Sequence, residues 1–317
     1  MGHGTGDGVR VEPVARRAAL LVTVVCLFSS CSGGDPPRDD AVPQPPSASP
    51  STPAPTPARA EVPATEPDQS SIPTDAADLA ARLDVAPATL RDRHASDDQV
   101  RQAGELQQLA VRVLALGSAR LRRDVIAALG PEAARQTRSD VRAARLLTVI
   151  TDPKPKFPPW QIVTPPPVDV LLGYYREAER STGVPWTYLA AIHLVETRMG
   201  RIRGPSTAGA LGPMQFMPST WARFGAGGNI LDPQDAIGAA ARLLAAHGAP
   251  GDMAGALWHY NPSSRYVGAV IAYARTMQRS PSAYRGYWRW RVLYRHVRGT
   301  FVLPEGYPAA RPVPLPG

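Results

Sequence analysis

Proline sets the outer limits of what this chain can fold. It holds 35 prolines in 317 residues, and twelve of them fall between Pro36 and Pro73. A second run, "TDPKPKFPPWQIVTPPP" (Thr151–Pro167), interrupts the middle of the chain. Proline has a fixed φ and no backbone N–H, so neither stretch can lie inside a helix or a central strand. A core must therefore come from what lies between and after them. Residues 31–73, rich in Pro, Ala, Ser and Thr, read as an extended, solvated tether, and 151–167 reads as a linker. This leaves 74–150, 168–279 and a tail at 280–317.

The N-terminus has a character of its own. Arg16 and Arg17 precede the apolar run "AALLVTVVCLF" (Ala18–Phe28), and small residues follow. That order predicts a secretory signal over residues 1–30. The run is short for a membrane span, and the arginines lack the flanks of a twin-arginine signal, which favours the general export route. "FSSC" ends at Cys31 and resembles a bacterial lipobox, with Phe28 where Leu is usual. On that reading Cys31 is lipidated, Cys26 is discarded and no disulfide forms. The other reading is an ordinary signal peptide followed by a free thiol. The expected location is the outer face of the cytoplasmic membrane or the cell wall. The chain carries +8. A basic exported protein suits lipid headgroups or acidic wall polymers, and nucleic acid is not an expected partner.

The pattern turns helical from about Thr74. Val100, Ala103, Leu106, Leu109, Val113 and Leu116 follow three/four spacing up to Gly117. Leu121, Val125 and Leu129 form a second stripe, closed by Gly130-Pro131, and Val141, Ala144 and Leu147 a third. This is a small helical module with no evident chemistry, read as a spacing or packing element. Helical patterns recur at Val168–Ser181, Pro185–Met199, Pro233–His247, Gly251–Tyr260 and Ser263–Arg279, without strand-like alternation. About 110 residues of this kind can bury one core. In the tail, Trp288, Trp290, Val292 and Tyr294 alternate with Arg289, Arg291 and Arg295. That is strand periodicity, and Arg298-Gly299 can turn it into a short hairpin. Its aromatics are expected to pack one face on a neighbour.

Several chemistries are not supported. No histidine pair has metal-site spacing, and "GPSTAG" (Gly204–Gly209) is not a nucleophile elbow. "GAGGN" (Gly225–Asn229) follows no strand and precedes no lysine. What stands out is "IHLVETRMG" (Ile192–Gly200), where Glu196 shares a helical stripe with Leu189, Ile192 and Met199. The plain explanations are a helix-end residue facing solvent or one paired with Arg198 or Arg201. Downstream, Met214-Gln215-Phe216-Met217-Pro218 sets one amide in apolar surroundings, and Ser219 or Thr220 can cap a helix entered at Trp221. Tyr260 and Asn261 stand at a helix end before Pro262, with groups able to bind a polyhydroxylated ligand.

Four motifs, "ETRMG", "STAGALGPMQFMPSTW", "DPQDAIGAAARLL" and "HYNPSSRYVGAVIAYA", occur in that order over about 110 residues. Together they resemble the lytic transglycosylases of the lysozyme-like superfamily, closest to the membrane-bound lytic murein transglycosylase B type. The resemblance implies a mainly α, lysozyme-like catalytic domain that cleaves peptidoglycan between N-acetylmuramic acid and N-acetylglucosamine. It implies Glu196 as the catalytic acid/base. It implies Ser206, Gln215, Tyr260, Asn261 and Tyr266 as glycan-binding residues. Thr197 and His259 depart from the usual pattern. "GAGGNILDPQDAI" (Gly225–Ile237) lacks the acidic calcium loop of some relatives, so no metal or other cofactor is expected. Protein partners would be wall-synthesis or division proteins.

An apolar site raises a carboxylate's pKa and lets it carry a proton near neutral pH. Ordinary glycosidases use two carboxylates. In lytic transglycosylases the substrate's N-acetyl group and C6 hydroxyl supply the second half, so one Glu suffices. A hydrolysing muramidase would instead need Asp232, Asp235 or Asp252. A non-catalytic glycan-binding lipoprotein would need none of them.

Overall fold

The computed structural model describes residues 75–315. The expected signal, Cys31 and the whole of the 31–73 stretch lie outside the described residues. Eleven helices dominate the described chain, with small antiparallel strands, as the mainly α expectation has it. The first four helices are α1 (Ala76–Arg91), α2 (Asp97–Leu116), α3 (Ala119–Ala128) and α4 (Pro131–Ile150). Their starts are fixed locally. The Asp75 carboxylate accepts from Asp78 N, and Ser96 and Gln99 form a reciprocal capping box at α2. Ser118 caps α3, Pro131 opens α4, and Gly117 ends α2 as its position in the sequence suggests.

The second group is α5 (Val168–Thr182), α6 (Trp186–Thr197), α7 (Pro218–Phe224), α8 (Pro233–Ala246), α9 (Met253–Tyr260), α10 (Ser264–Arg279) and α11 (Ala283–Trp288). α10 packs against α6 and also against α4. One continuous apolar cluster therefore runs from Leu79 and Leu114 through Leu189 and Ile192 to Tyr273 and Trp290. The helices of 74–150 share that core.

A buried carboxylate fastens this union. Asp140 of α4 is fully enclosed; Tyr287 of α11 donates to it at 2.5 Å and Gln107 of α2 at 3.3 Å. Burial pushes its pKa up to about 7, against the lowering effect of Tyr287. A carboxyl raised on folding stabilises the fold in its protonated form, below the ordinary carboxylate range. That contribution is lost as pH rises through about 7. Thermal stability is therefore expected to fall over this window. Asp140→Asn should remove Asp140's share of the fall, because an amide does not ionise, and the unpartnered Oε1 of Gln107 can turn to accept from it. Melting curves of both proteins across pH check this.

Strand β1 (Gln161–Ile162) pairs with β2 (Ile202–Arg203), and β3 (Val292–His296), β4 (Gly299–Leu303) and β5 (Val313–Pro314) form a second sheet. The hairpin turns at Val297-Arg298, next to the place the sequence indicated. It starts later than the alternation suggests, because Trp288 belongs to α11. The stretch 151–167 is bonded rather than free. Ile162 N donates to Tyr307 O at 3.0 Å, Val163 N to Arg201 O at 2.9 Å, and Lys154 bridges to His296. Ile162, Val292, Leu303 and Tyr307 make a small core of their own there.

Two local expectations are corrected. The helix carrying Glu196 stops at Thr197, short of Met199, because Arg198, Met199 and Gly200 are all left-handed (φ 53°, 61° and 86°). The helix after the Met214–Pro218 turn begins at Pro218, so Ser219 and Thr220 sit inside its first turn and Met217 stands at the cap. Proline's preset φ and missing N–H suit that first position.

Candidate active site

The stripe that seemed to carry Glu196 is part of something larger. Every residue of α6 from Trp186 to Leu194 is buried, so this helix has no solvent face. Glu196 lies where the buried helix reaches the surface, half-buried in the wall of a groove of about 800 Å³. Neither arginine explains it. Arg198 turns back, Nη1 donating to Leu194 O at 2.7 Å, and Arg201 pairs with Glu305 and donates to Trp288 O. Instead the Tyr266 hydroxyl donates to Glu196 Oε1 at 2.6 Å. Burial raises the Glu196 pKa to about 7, and the Tyr266 bond, which favours the charged form, holds it back from going higher. A carboxyl in this state is protonated in a useful fraction near neutral pH and can also act as a base.

The surrounding residues hold this carboxyl in place. Tyr260 stacks on Tyr266, with centroids 6.4 Å apart and planes at 5°, and its hydroxyl donates to Met214 O at 2.5 Å. Burial keeps both phenols protonated, their pKa values well above the ordinary one. Thr197 Oγ1 donates to Pro213 O at 2.5 Å and accepts from Gly200 N at 3.1 Å. This joins the end of α6 to the loop before α7. The joint needs a hydroxyl, which Thr supplies as well as Ser. Below, Tyr175 meets His193 Nδ1 at 2.6 Å; His193 is fully buried and its pKa is pushed down to about 3, so it stays neutral. It supports the helix and takes no part in the groove.

Glu196, Ser206 and Gln215 line one groove. Ser206 Oγ accepts from Ala208 N and Ala210 N at 3.2 and 3.0 Å, which shapes its loop. Gln215, at φ 50°, folds its amide toward Gly212 O at 2.9 Å. Tyr260 and Tyr266 stand behind Glu196 rather than on the groove lining, and Asn261 ends α9 through its backbone N–H to Leu257 O. The three aspartates singled out in the sequence are occupied elsewhere. Asp232 caps α8, Asp252 caps α9, and Asp235 accepts from Asn229 N at 2.8 Å.

Much of the groove lining was not legible in the sequence. Val111 and Arg112 of α2, Leu147 of α4, Phe157 and Trp160 of the proline-rich stretch, and Tyr294 of β3 line the same groove. Trp160 meets Tyr294 edge-on at 5.9 Å and donates to Pro205 O at 3.1 Å. The interleaved aromatics of the tail were the visible signal. Their partners "FPPW" were hidden in a stretch that reads as a break.

Tyr266→Phe tests the second contact of Glu196. Removing a donor that favours the carboxylate should move the alkaline limb of any pH–rate profile to higher pH. Losing the anchor should also lower turnover about tenfold. Rate measurements from pH 5 to 9, at roughly half-unit steps, separate the two effects.

Residues 173–281 match the family model described as the Transglycosylase SLT domain. No curated protein and no solved structure matches the chain. The matched span runs from within α5 to just past α10. It indicates a glycan-cleaving domain that acts on peptidoglycan.

Proposed function

We propose that this chain is a lytic transglycosylase that cuts peptidoglycan between N-acetylmuramic acid and N-acetylglucosamine and leaves 1,6-anhydro ends, with Glu196 as the single acid and base. The reading rests on the matched domain and on one geometric observation. Glu196 is a carboxyl held near pKa 7 on a groove wall, and the aspartates that might have assisted it are used as helix caps and loop ties. Protonated Glu196 gives its proton to the glycosidic oxygen as the bond to the muramic C1 breaks. The neighbouring N-acetyl oxygen stabilises the cationic C1. The Glu196 carboxylate then takes the proton from the C6 hydroxyl, and O6 bonds to C1. No water is consumed, and the enzyme returns to its starting state.

Among the described residues one other carboxylate, Asp152, lies on the groove lining, exposed on the stretch after α4. In a hydrolase it would be the residue to hold a water. Asp152→Asn is therefore expected to retain cleavage within about twofold, as a surface change away from the reacting atoms does. New chain ends should resist borohydride in both proteins. Loss of activity in this variant, or reducible ends, would favour the muramidase.

The four motifs in order support a likeness to the B type. The basic start, the apolar run and "FSSC" support export and anchoring through Cys31 to the outer face of the membrane. Labelling of the chain by radioactive fatty acid, abolished in Cys31→Ser, is the expected result.

A further inference from the structure

Beside the groove, and sharing Ala115, Leu116 and Thr148 with it, lies a second recognisable surface. Two depressions, of about 1050 and 400 Å³, lie over α3, α4 and α10. They share Arg138 and Arg142 and so adjoin, making a channel with these two side chains at its junction. Arg123 and Arg145 border its first part, and Arg275 and Arg279 its second. All six arginines are exposed. No aspartate or glutamate lines either depression, and none of the six forms an ion pair among the described residues.

The arrangement is periodic. Arg138, Arg142 and Arg145 fall four and three apart on α4, and Arg275 and Arg279 four apart on α10. Each spacing puts guanidinium groups side by side on one face. Like charges at that spacing oppose helix formation and gain nothing from packing. Some arginines outside the channel are paired on their own helices, as Arg82 with Asp78 and Arg176 with Glu179. The six that border the channel are clustered without a carboxylate on its lining. The floor between them is apolar, made by Val141, Leu146 and Ile271.

We propose that this arginine channel binds a linear, phosphate-bearing polymer. Guanidinium groups hold phosphate oxygens in paired, charge-assisted hydrogen bonds. A channel with cations along both edges suits successive anionic groups on one strand, and its apolar floor suits the carbon units between them. A flat bilayer would touch the rims and leave the concavity unfilled. The exposed Leu116 and Val149 beside the first depression are what a bilayer would use, so vesicles form the opposing arm of the test.

The experiment uses the full chain and long-chain inorganic polyphosphate as the probe, followed by calorimetry. Binding is expected to weaken steeply as salt rises from about 50 to 200 mM, as several ion contacts require. Arg138→Ala combined with Arg142→Ala should lose about tenfold or more in affinity, with unchanged melting temperature and unchanged cleavage of short soluble glycans. Arg93→Ala combined with Arg180→Ala, away from the channel, should bind as wild type. Equal binding by the folded channel variant would overturn the proposal. So would binding to phosphatidylglycerol vesicles that polyphosphate fails to displace, which would assign the surface to a membrane.

Discussion

Glu196→Gln is expected to lower the rate of glycan cleavage by roughly 10²- to 10⁴-fold, the range that general acid–base catalysis contributes. The amide keeps the shape of the carboxyl and can still accept from Tyr266, so the stacked pair behind it should stay in place. What it lacks is a transferable proton. Both halves of the reaction run through this one group, so neither can be rescued by a partner. The folded protein should gain stability from the change at alkaline pH. A carboxyl whose pKa is raised on folding stabilises the protein below its unfolded value and loses that contribution as pH rises through about 7. Gln removes the cost of ionising a buried group. An inactive variant that melts higher than wild type at pH near 8 is thus the expected pair of results. An inactive variant that also melts lower would point to damaged packing.

Gly212→Ala should be the most damaging small change near the groove. A Cβ there would lie 1.9 Å from the carbonyl oxygen of Ile230, and the residue is left-handed at φ 75°. Left-handed geometry alone costs an L-residue about 1 to 2 kcal/mol. A backbone clash of that depth cannot be relieved by rotating a side chain, so the loop holding Gln215 must part from Asn229–Leu231. We expect a loss of about 3 kcal/mol or more, with cleavage reduced because Gln215 N and its amide both bond to Gly212 O. Gly209→Ala provides the comparison. It is equally left-handed at φ 85°, but nothing lies within 4 Å of its would-be Cβ. It should lose only the conformational part, about 1 kcal/mol. Denaturant unfolding of the two variants separates clash from strain.

How far the sequence carried the account differs from element to element. α2 and its stop at Gly117 were legible because three/four spacing, a cap and a glycine all agree there. Glu196 was legible as an exception, although its stripe was not, since α6 is buried all round and has no polar face to define one. Spacing also could not show that Phe157 stacks on His296 or that Trp160 meets Tyr294. Those contacts join residues far apart in the chain, and each partner alone looks like a loop or strand residue. The role of 74–150 was hidden for the same reason. Val111 and Arg112 look like ordinary helix positions until α2 is seen beside the groove. Ser219 and Thr220 fit a cap by composition, but Pro218 begins the helix ahead of them.

The most direct test is the product of the reaction. Purified peptidoglycan is digested by the wild-type chain in water enriched in heavy oxygen, with Glu196→Gln alongside, and the muropeptides are weighed. The account predicts fragments lighter by one water than hydrolysed muropeptides, free of heavy oxygen, and absent from the variant's digest. Fragments with heavy oxygen at a new reducing end would contradict it.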